Sequence, residues 1–149
     1  MTVRQLRVGT MDVFTYILGC EATKEAVVID PGGEVDRIIE EARREGLHIK
    51  YIFNTHGHWD HTIGNDQLKL LTGASIVRHK EESGADIDIP LMGRTAIHPD
   101  EHLAKQKSGK TIEGLPTPGK SVGAMRINLN HVRQESRWNH SGCVSFRYS

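Results

Sequence analysis

Along the first half of the chain the apolar and polar positions follow first one period and then another. From Val3 to Ile29 short β-branched and aromatic runs succeed one another: Val3, Leu6 and Val8, then Val13 to Leu18, then Ala26 to Ile29, separated by Gly9-Thr10 and by the stretch from Gly19 to Lys24. Runs of this length bounded by turn residues predict strands with an antiparallel start. Asp30-Pro31-Gly32-Gly33 stops the last of them, because proline removes a backbone donor and glycine permits positive φ. The period then changes. Val35, Ile38, Ile39 and Ala42 lie at the i, i+3, i+4, i+7 spacing of one buried stripe and predict a helix from about Glu34 to Glu45. Glu40, Glu41, Arg43 and Arg44 form its solvated face, and Gly46 is the expected left-handed cap.

Ile49 to Phe53 is a continuous apolar run, read as a buried strand that Asn54-Thr55 ends. Gly64-Asn65 opens a second helix carrying Leu68, Leu71 and, on its flank, Leu70; it ends at Thr72-Gly73, and Ala74 to Val77 is the next strand. The stretch from Ser83 to Lys110 is rich in Gly, Asp, Lys and Pro and reads mainly as loop, with one amphipathic piece from about Pro99 to Gln106. Met125 to Leu129 and Val144 to Tyr148 alternate apolar and polar residues as half-buried strands do. The 149 residues fit a single α/β domain with room for a sizeable core, and no repeat, low-complexity tract or linker divides them.

Composition removes several classes of function. With 19 basic against 19 acidic residues the chain lacks the footprint of a phosphate-backbone binder, so nucleic acid is disfavoured as a partner. No apolar run is long enough to span a bilayer and the N-terminus lacks a secretory pattern, so a cytoplasmic protein without a membrane partner is expected. Cys20 and Cys143 lie far apart and form no CxxC pair, and both are expected to be packed thiols.

The candidate chemistry sits directly after the second apolar strand region, in Thr55-His56-Gly57-His58-Trp59-Asp60-His61, where three histidines and a carboxylate fall within six positions. Imidazole and carboxylate are the usual nitrogen and oxygen donors for zinc, iron and manganese, so this reads as a metal site. A helix would place His58 and His61 on one face, a strand would align His56, His58 and Asp60, and a loop would let all four turn inward. The carboxyl end of a buried strand is a favoured place for a ligand site in α/β folds. His79, His98 and His102 stand alone and are read as surface or packed histidines.

His56-x-His58-x-Asp60-His61 after an apolar strand resembles the signature of the metallo-β-lactamase superfamily. Val28-Ile29-Asp30-Pro31-Gly32-Gly33 is similar to that family's strand and turn before its first helix. Gly64-Asn65, Leu68-Lys69 and Thr72-Gly73-Ala74 are similar to the segment after the motif in glyoxalase II-like members. The resemblance covers residues 3–80 and implies an αββα sandwich, two mixed sheets packed face to face with helices outside. It also implies that His56 and His58 bind one divalent ion, that Asp60 and His61 bind a second, and that Asp60 orients the attacking water. Zinc is expected first, and iron or manganese suits the same donors. Asp30 is expected beside the site, holding a ligand histidine by a hydrogen bond. The implied activity is a metal-dependent hydrolase acting on a small thioester or related acyl compound, with water as nucleophile.

The later part of the chain departs from the family's pattern. The family places a third ligand histidine in a Thr-Pro-Gly-His turn, whereas Thr117-Pro118-Gly119 is followed here by Lys120, whose ammonium must lose a proton before it can donate. In a second register His140, within His140-Ser141-Gly142-Cys143, takes the third-ligand place; both registers stay open, with His140 preferred. No Gly-Asp dipeptide follows either turn, so the resemblance implies an incomplete second half. A truncated or frameshifted product is then expected, and a second copy of the chain could cover the exposed sheet. The competing expectations are a non-catalytic metal-binding remnant and a metal-dependent nuclease.

Overall fold

The computed structural model describes residues 2–81 and 87–91 with their side chains, and residues 95–97, 110–116 and 125–131 as backbone strands. A six-stranded sheet has the order β1-β2-β3-β4-β5-β6, formed by β1 (Thr2–Val8), β2 (Val13–Gly19), β3 (Glu25–Ile29), β4 (His48–Phe53), β5 (Ser75–His79) and β6 (Ile89–Leu91). β1 to β3 pair antiparallel, and β3 to β6 pair parallel. Helix α1 (Val35–Arg44) links β3 to β4, while α2 (Trp59–Thr62) and α3 (Asn65–Thr72) link β4 to β5. A second, antiparallel sheet has the order β7-β8-β9, from Thr95–Ile97, Lys110–Pro116 and Met125–His131.

β3, β5 and the carboxyl end of β4 are buried on both faces, as strands inside a parallel sheet are. Val28, Ile52 and Ile76 join Ile38 and Ala42 of α1 and Leu68 of α3 in one cluster, and Val27, Ile29, Phe53 and Val77 form a second cluster with Leu18 and Leu91. Ile49 joins the helix-side cluster together with Ile52, which strict alternation forbids. The β3–β4 register explains it: Ala26 pairs Ile49 and Val27 pairs Tyr51, so Lys50 is passed over and the phase of the strand shifts.

Helix α1 ends where the glycine was expected. Gly46 has φ +67°, its N–H donates to the Arg43 carbonyl, and the Leu47 N–H donates to the Ala42 carbonyl, which together close the last turn. Helix α3 also ends at a left-handed glycine, Gly73. Its Leu68 is fully buried, whereas Leu70 and Leu71 stay exposed, so the apolar stripe is narrower than the sequence suggests.

Most of Ser83 to Lys110 reads as loop from the sequence, and the structure corrects this by placing β6 and β7 within it. Three residues are too few to show a period. β6 exists through its pairing with β5, Val77 to Ile89 and His79 to Leu91, and as an edge strand it tolerates Pro90. β8, over Lys110–Pro116, was not expected from the sequence. Met125 to Leu129 falls within β9. The amphipathic piece Pro99 to Gln106, the strand expected over Val144 to Tyr148, and His98, His102, Lys120, His140 and Cys143 lie outside the described residues. Cys20 is buried at the end of β2, and His79 is buried at the end of β5. Among the described residues no helix is long and apolar enough to cross a membrane.

Asp88 fastens α3 to the sheet. Its carboxylate accepts from Lys69 Nζ at 2.6 Å and from the Ile76 N–H at 2.7 Å, and these two bonds, that from Lys69 first, hold its pKa below the usual carboxylate range. The folded chain therefore binds this proton less tightly than the unfolded chain. The resulting stability is present above the unfolded carboxylate pKa and is lost as pH falls through the lower folded value. Thermal melts across pH should show Asp88→Asn less stable than the parent near neutrality, with the gap closing in acid. A gap that stays constant with pH would refute the assignment.

Candidate metal centre

The site is assembled where two neighbouring parallel strands end together. Ile29 and Phe53 are register partners, so the residues that follow them, Asp30 and Asn54-Thr55, leave the sheet side by side. The Asp30 N–H donates to the Phe53 carbonyl at 2.9 Å, and the Asn54 N–H donates to the Val77 carbonyl of β5 at 3.1 Å. Asp30 is buried and has φ +49°, an uncommon conformation for a residue other than glycine. The Gly32 N–H donates back to its carbonyl at 2.8 Å, which tightens the Asp-Pro-Gly turn and leaves the carboxylate directed at the following strand.

That carboxylate organises the histidine loop. Oδ1 accepts the Thr55 N–H at 2.8 Å, and Oδ2 accepts the Thr55 hydroxyl at 2.5 Å and lies 3.1 Å from His61 Nδ1. With its hydrogen directed at Asp30, the Thr55 hydroxyl oxygen is left to accept from His56 Nδ1, 3.0 Å away. These partners assign the same tautomer to both imidazoles, Nδ1–H outward to the protein and the Nε2 lone pair inward, as a metal-binding histidine requires.

The sequence left helix, strand and loop open for the motif, and the structure divides it between two of them. His56 to His58 run as loop, His58 being extended with φ −63° and ψ 141°, and Trp59 to Thr62 form a single helical turn. The Thr62 hydroxyl donates to the His58 carbonyl at 3.2 Å and the Ile63 N–H to the Trp59 carbonyl at 2.9 Å. This turn swings Asp60 and His61 back over the first two histidines. The His56 ring centroid lies 4.5 Å from that of His58 and 4.2 Å from that of His61, and His61 Nε2 is 3.5 Å from Asp60 Oδ2. His61 is buried, His56 and Asp60 are half-buried, and His58 is exposed.

Donor atoms of Asp30, His56 and His61 lie within 4.8 Å of one another, a separation that one cation could bridge. The carboxylate of Asp30 is already engaged by Thr55 and His61, and His58 and Asp60, expected as ligands from the sequence, lie outside this group of three. The chemistry of this donor set, imidazoles packed ring against ring with a carboxylate beside them, fits a divalent metal. Burial, and then the charge of Asp30, pushes the nearby Tyr16 phenol above its usual range.

Glycines allow the supporting turns to touch. A Cβ on Gly32 would come within 2.6 Å of the Asp60 carbonyl oxygen, and one on Gly64 within 2.5 Å of the Pro31 carbonyl oxygen, which instead accepts the Gly64 N–H at 2.9 Å. Beside these turns lies a cleft of about 290 Å³ whose walls include Met11, Trp59, Asp60, Ile63 and Gln67. Thr55, Asn54 and Asn65 were not singled out from the sequence as site residues. Their position, Asn54-Thr55 directly before the motif and Asn65 four residues after it, was the available signal.

Residues 8–132 match the family model of the metallo-beta-lactamase superfamily. The hydroxyacylglutathione hydrolase of Rhodospirillum rubrum is 34% identical over 112 residues, an alignment covering 75% of this chain and 41% of that protein. The cytoplasmic hydroxyacylglutathione hydrolase of Arabidopsis thaliana is 30% identical, over 68% of this chain and 45% of its own length. The crystal structure of ETHE1 from Myxococcus xanthus superposes with a TM-score of 0.74 at 26% identity, covering 87% of this chain and 54% of that one. The chain thus spans about two fifths of the length of the curated relatives it matches.

Proposed function

The chain belongs to the metallo-beta-lactamase superfamily and has its mixed α/β fold, and from that premise we propose that it is a metal-dependent hydrolase of thioesters or related acyl compounds. The observation that carries the proposal is that Asp30 and Thr55 engage Nδ1 of both His61 and His56, which leaves the two Nε2 lone pairs for a cation, in rings whose centroids lie 4.2 Å apart, with His61 Nε2 3.5 Å from Asp60 Oδ2.

His56 and His58 would hold one ion and Asp60 and His61 a second, with His140 as the third-ligand histidine and residues 1–149 acting as one domain. Zinc is the first choice, and iron or manganese suits the same donors. A bound divalent ion supplies a nucleophilic water at neutral pH and polarises the substrate carbonyl. Asp60 would accept a hydrogen bond from such a water and set its direction of attack. Asp30 and Thr55 engage Nδ1 of the two imidazoles and leave Nε2 of each to face the ion. The thioester class is supported by the names of the relatives from R. rubrum and A. thaliana, and the cytoplasmic setting by that of the latter.

A second reading, a metal binder without turnover, is favoured by Lys120, which follows Thr117-Pro118-Gly119 where the family's pattern places a ligand histidine. Elemental analysis of the purified protein, paired with release of free thiol from an acylglutathione after loading with zinc, iron or manganese, separates the two. Turnover that chelation abolishes supports the hydrolase. Bound metal without turnover under any loading supports the second reading, and failure to bind metal, matched by an identical His56→Ala control, refutes both.

A further inference from the structure

Two asparagines bracket the histidine motif, Asn54 as the residue after β4 and Asn65 as the first residue of α3, and both are buried to within 1% of full. Their amides pair reciprocally. Asn54 Nδ2 donates to Asn65 Oδ1 at 3.1 Å, and Asn65 Nδ2 donates to Asn54 Oδ1 at 2.7 Å. Asn54 Nδ2 also lies 3.4 Å from the His61 carbonyl oxygen. We propose that this pair is a clasp that sets the distance between the two arms of the metal site, so that Asn54 and Asn65 are positioning residues for metal binding. The proposal rests on the metal-site reading above.

The physical case begins with the cost of burying two amides. Each would lose stability in an apolar surrounding unless its donors and acceptor were met, and the reciprocal geometry meets them with one another. Two leucines of similar volume would fill the same space without that cost, so packing alone does not require asparagine. The amide pair adds direction. The clasp closes the base of the loop 55–64, whose first arm carries His56 and His58 and whose second carries Asp60 and His61.

The clasp is also anchored on both sides. The Asn54 N–H is held by Val77 of β5, and the Gly64 N–H, next to Asn65, by Pro31. The contact from Asn54 to the His61 carbonyl ties the strand end directly to the helical turn that delivers His61. Ligands on two arms bind one centre well only if their separation is set before the ion arrives, because otherwise binding must also order the loop. An aspartate at either position would lose the donor that closes the ring of hydrogen bonds.

The test is a cobalt(II) titration of the full chain followed by visible absorption, with thermal melting of the metal-free protein measured alongside. In Asn54→Leu/Asn65→Leu the apo protein should melt no lower than the parent, while cobalt affinity falls by about tenfold to a hundredfold and the visible band changes. Ile38→Val, on the buried face of α1, should lower the melting temperature and leave cobalt affinity unchanged. Parent-like cobalt binding in the double variant overturns the clasp while leaving the metal site standing, as does an equal loss of affinity in Ile38→Val. A parent chain that binds no cobalt overturns the metal-site reading and the clasp with it. If the double variant does not fold, Asn65→Ser is titrated in its place: weaker binding supports the clasp and parent-like binding refutes it.

Discussion

Asp30→Ala is expected to lower the stability of the chain by about 3 kcal/mol and to weaken metal binding by about tenfold to a hundredfold. The size follows from what the carboxylate holds. It accepts the Thr55 N–H at 2.8 Å, the Thr55 hydroxyl at 2.5 Å and His61 Nδ1 at 3.1 Å, inside a region from which water is nearly excluded. Removing it strands these donors, and an unmet buried donor costs about 1–3 kcal/mol. The effect on metal comes by a different route. Without Asp30 the Thr55 hydroxyl can turn its hydrogen to His56, and both imidazoles lose the partner that keeps Nε2 as the lone-pair nitrogen. Denaturant unfolding reads the first effect and metal titration the second. Asp30→Asn separates them, because it keeps the shape and one acceptor while facing the same donors with an amide. A melting profile for Asp30→Ala equal to that of the parent would rule out this role.

The largest effect on the centre itself should come from His61→Ala, with metal affinity falling by more than about a hundredfold, beyond the range found for residues that only support a ligand. His61 is 2% exposed, lies between Asp30 and Asp60, and packs its ring 4.2 Å from that of His56. Its loss removes a donor that the other residues cannot replace, because Asp30 is committed to Thr55 and His58 stands at the exposed rim. Metal content after dialysis and an acylglutathione assay on the same preparation report the outcome. A variant that keeps its full complement of metal would remove His61 from the ligand set. His56→Ala is the natural comparison, since His56 is held through Thr55 and is less buried.

The parts of the fold that were legible in the sequence are those written by local chemistry. Val35, Ile38 and Ala42 recur at helical spacing and are buried in α1, Gly46 and Gly73 stand at left-handed helix ends, and the apolar run Ile49 to Phe53 lies within β4. The crowding of His56, His58, Asp60 and His61 marked the candidate site, since so many donors in one short segment have little use in an apolar core. What remained hidden depends on partners distant in sequence. β6 is three residues that become a strand only beside β5, and the phase shift at Lys50 is visible only through the pairing of β3 with β4.

The same division runs through the site. The sequence by itself marked the candidate donors, the strand that delivers them, the family they resemble and Asp30 as a neighbour, because these follow from residue type and spacing along the chain. Only the tertiary structure decided that the motif is half loop and half helical turn, that Thr55 passes the orientation of Asp30 on to His56, and that Asn54 meets Asn65. The reason is that hydrogen-bond direction is a property of atoms brought together by the sheet. A sequence specifies which groups can donate and accept, while the register of two parallel strands decides which of them meet.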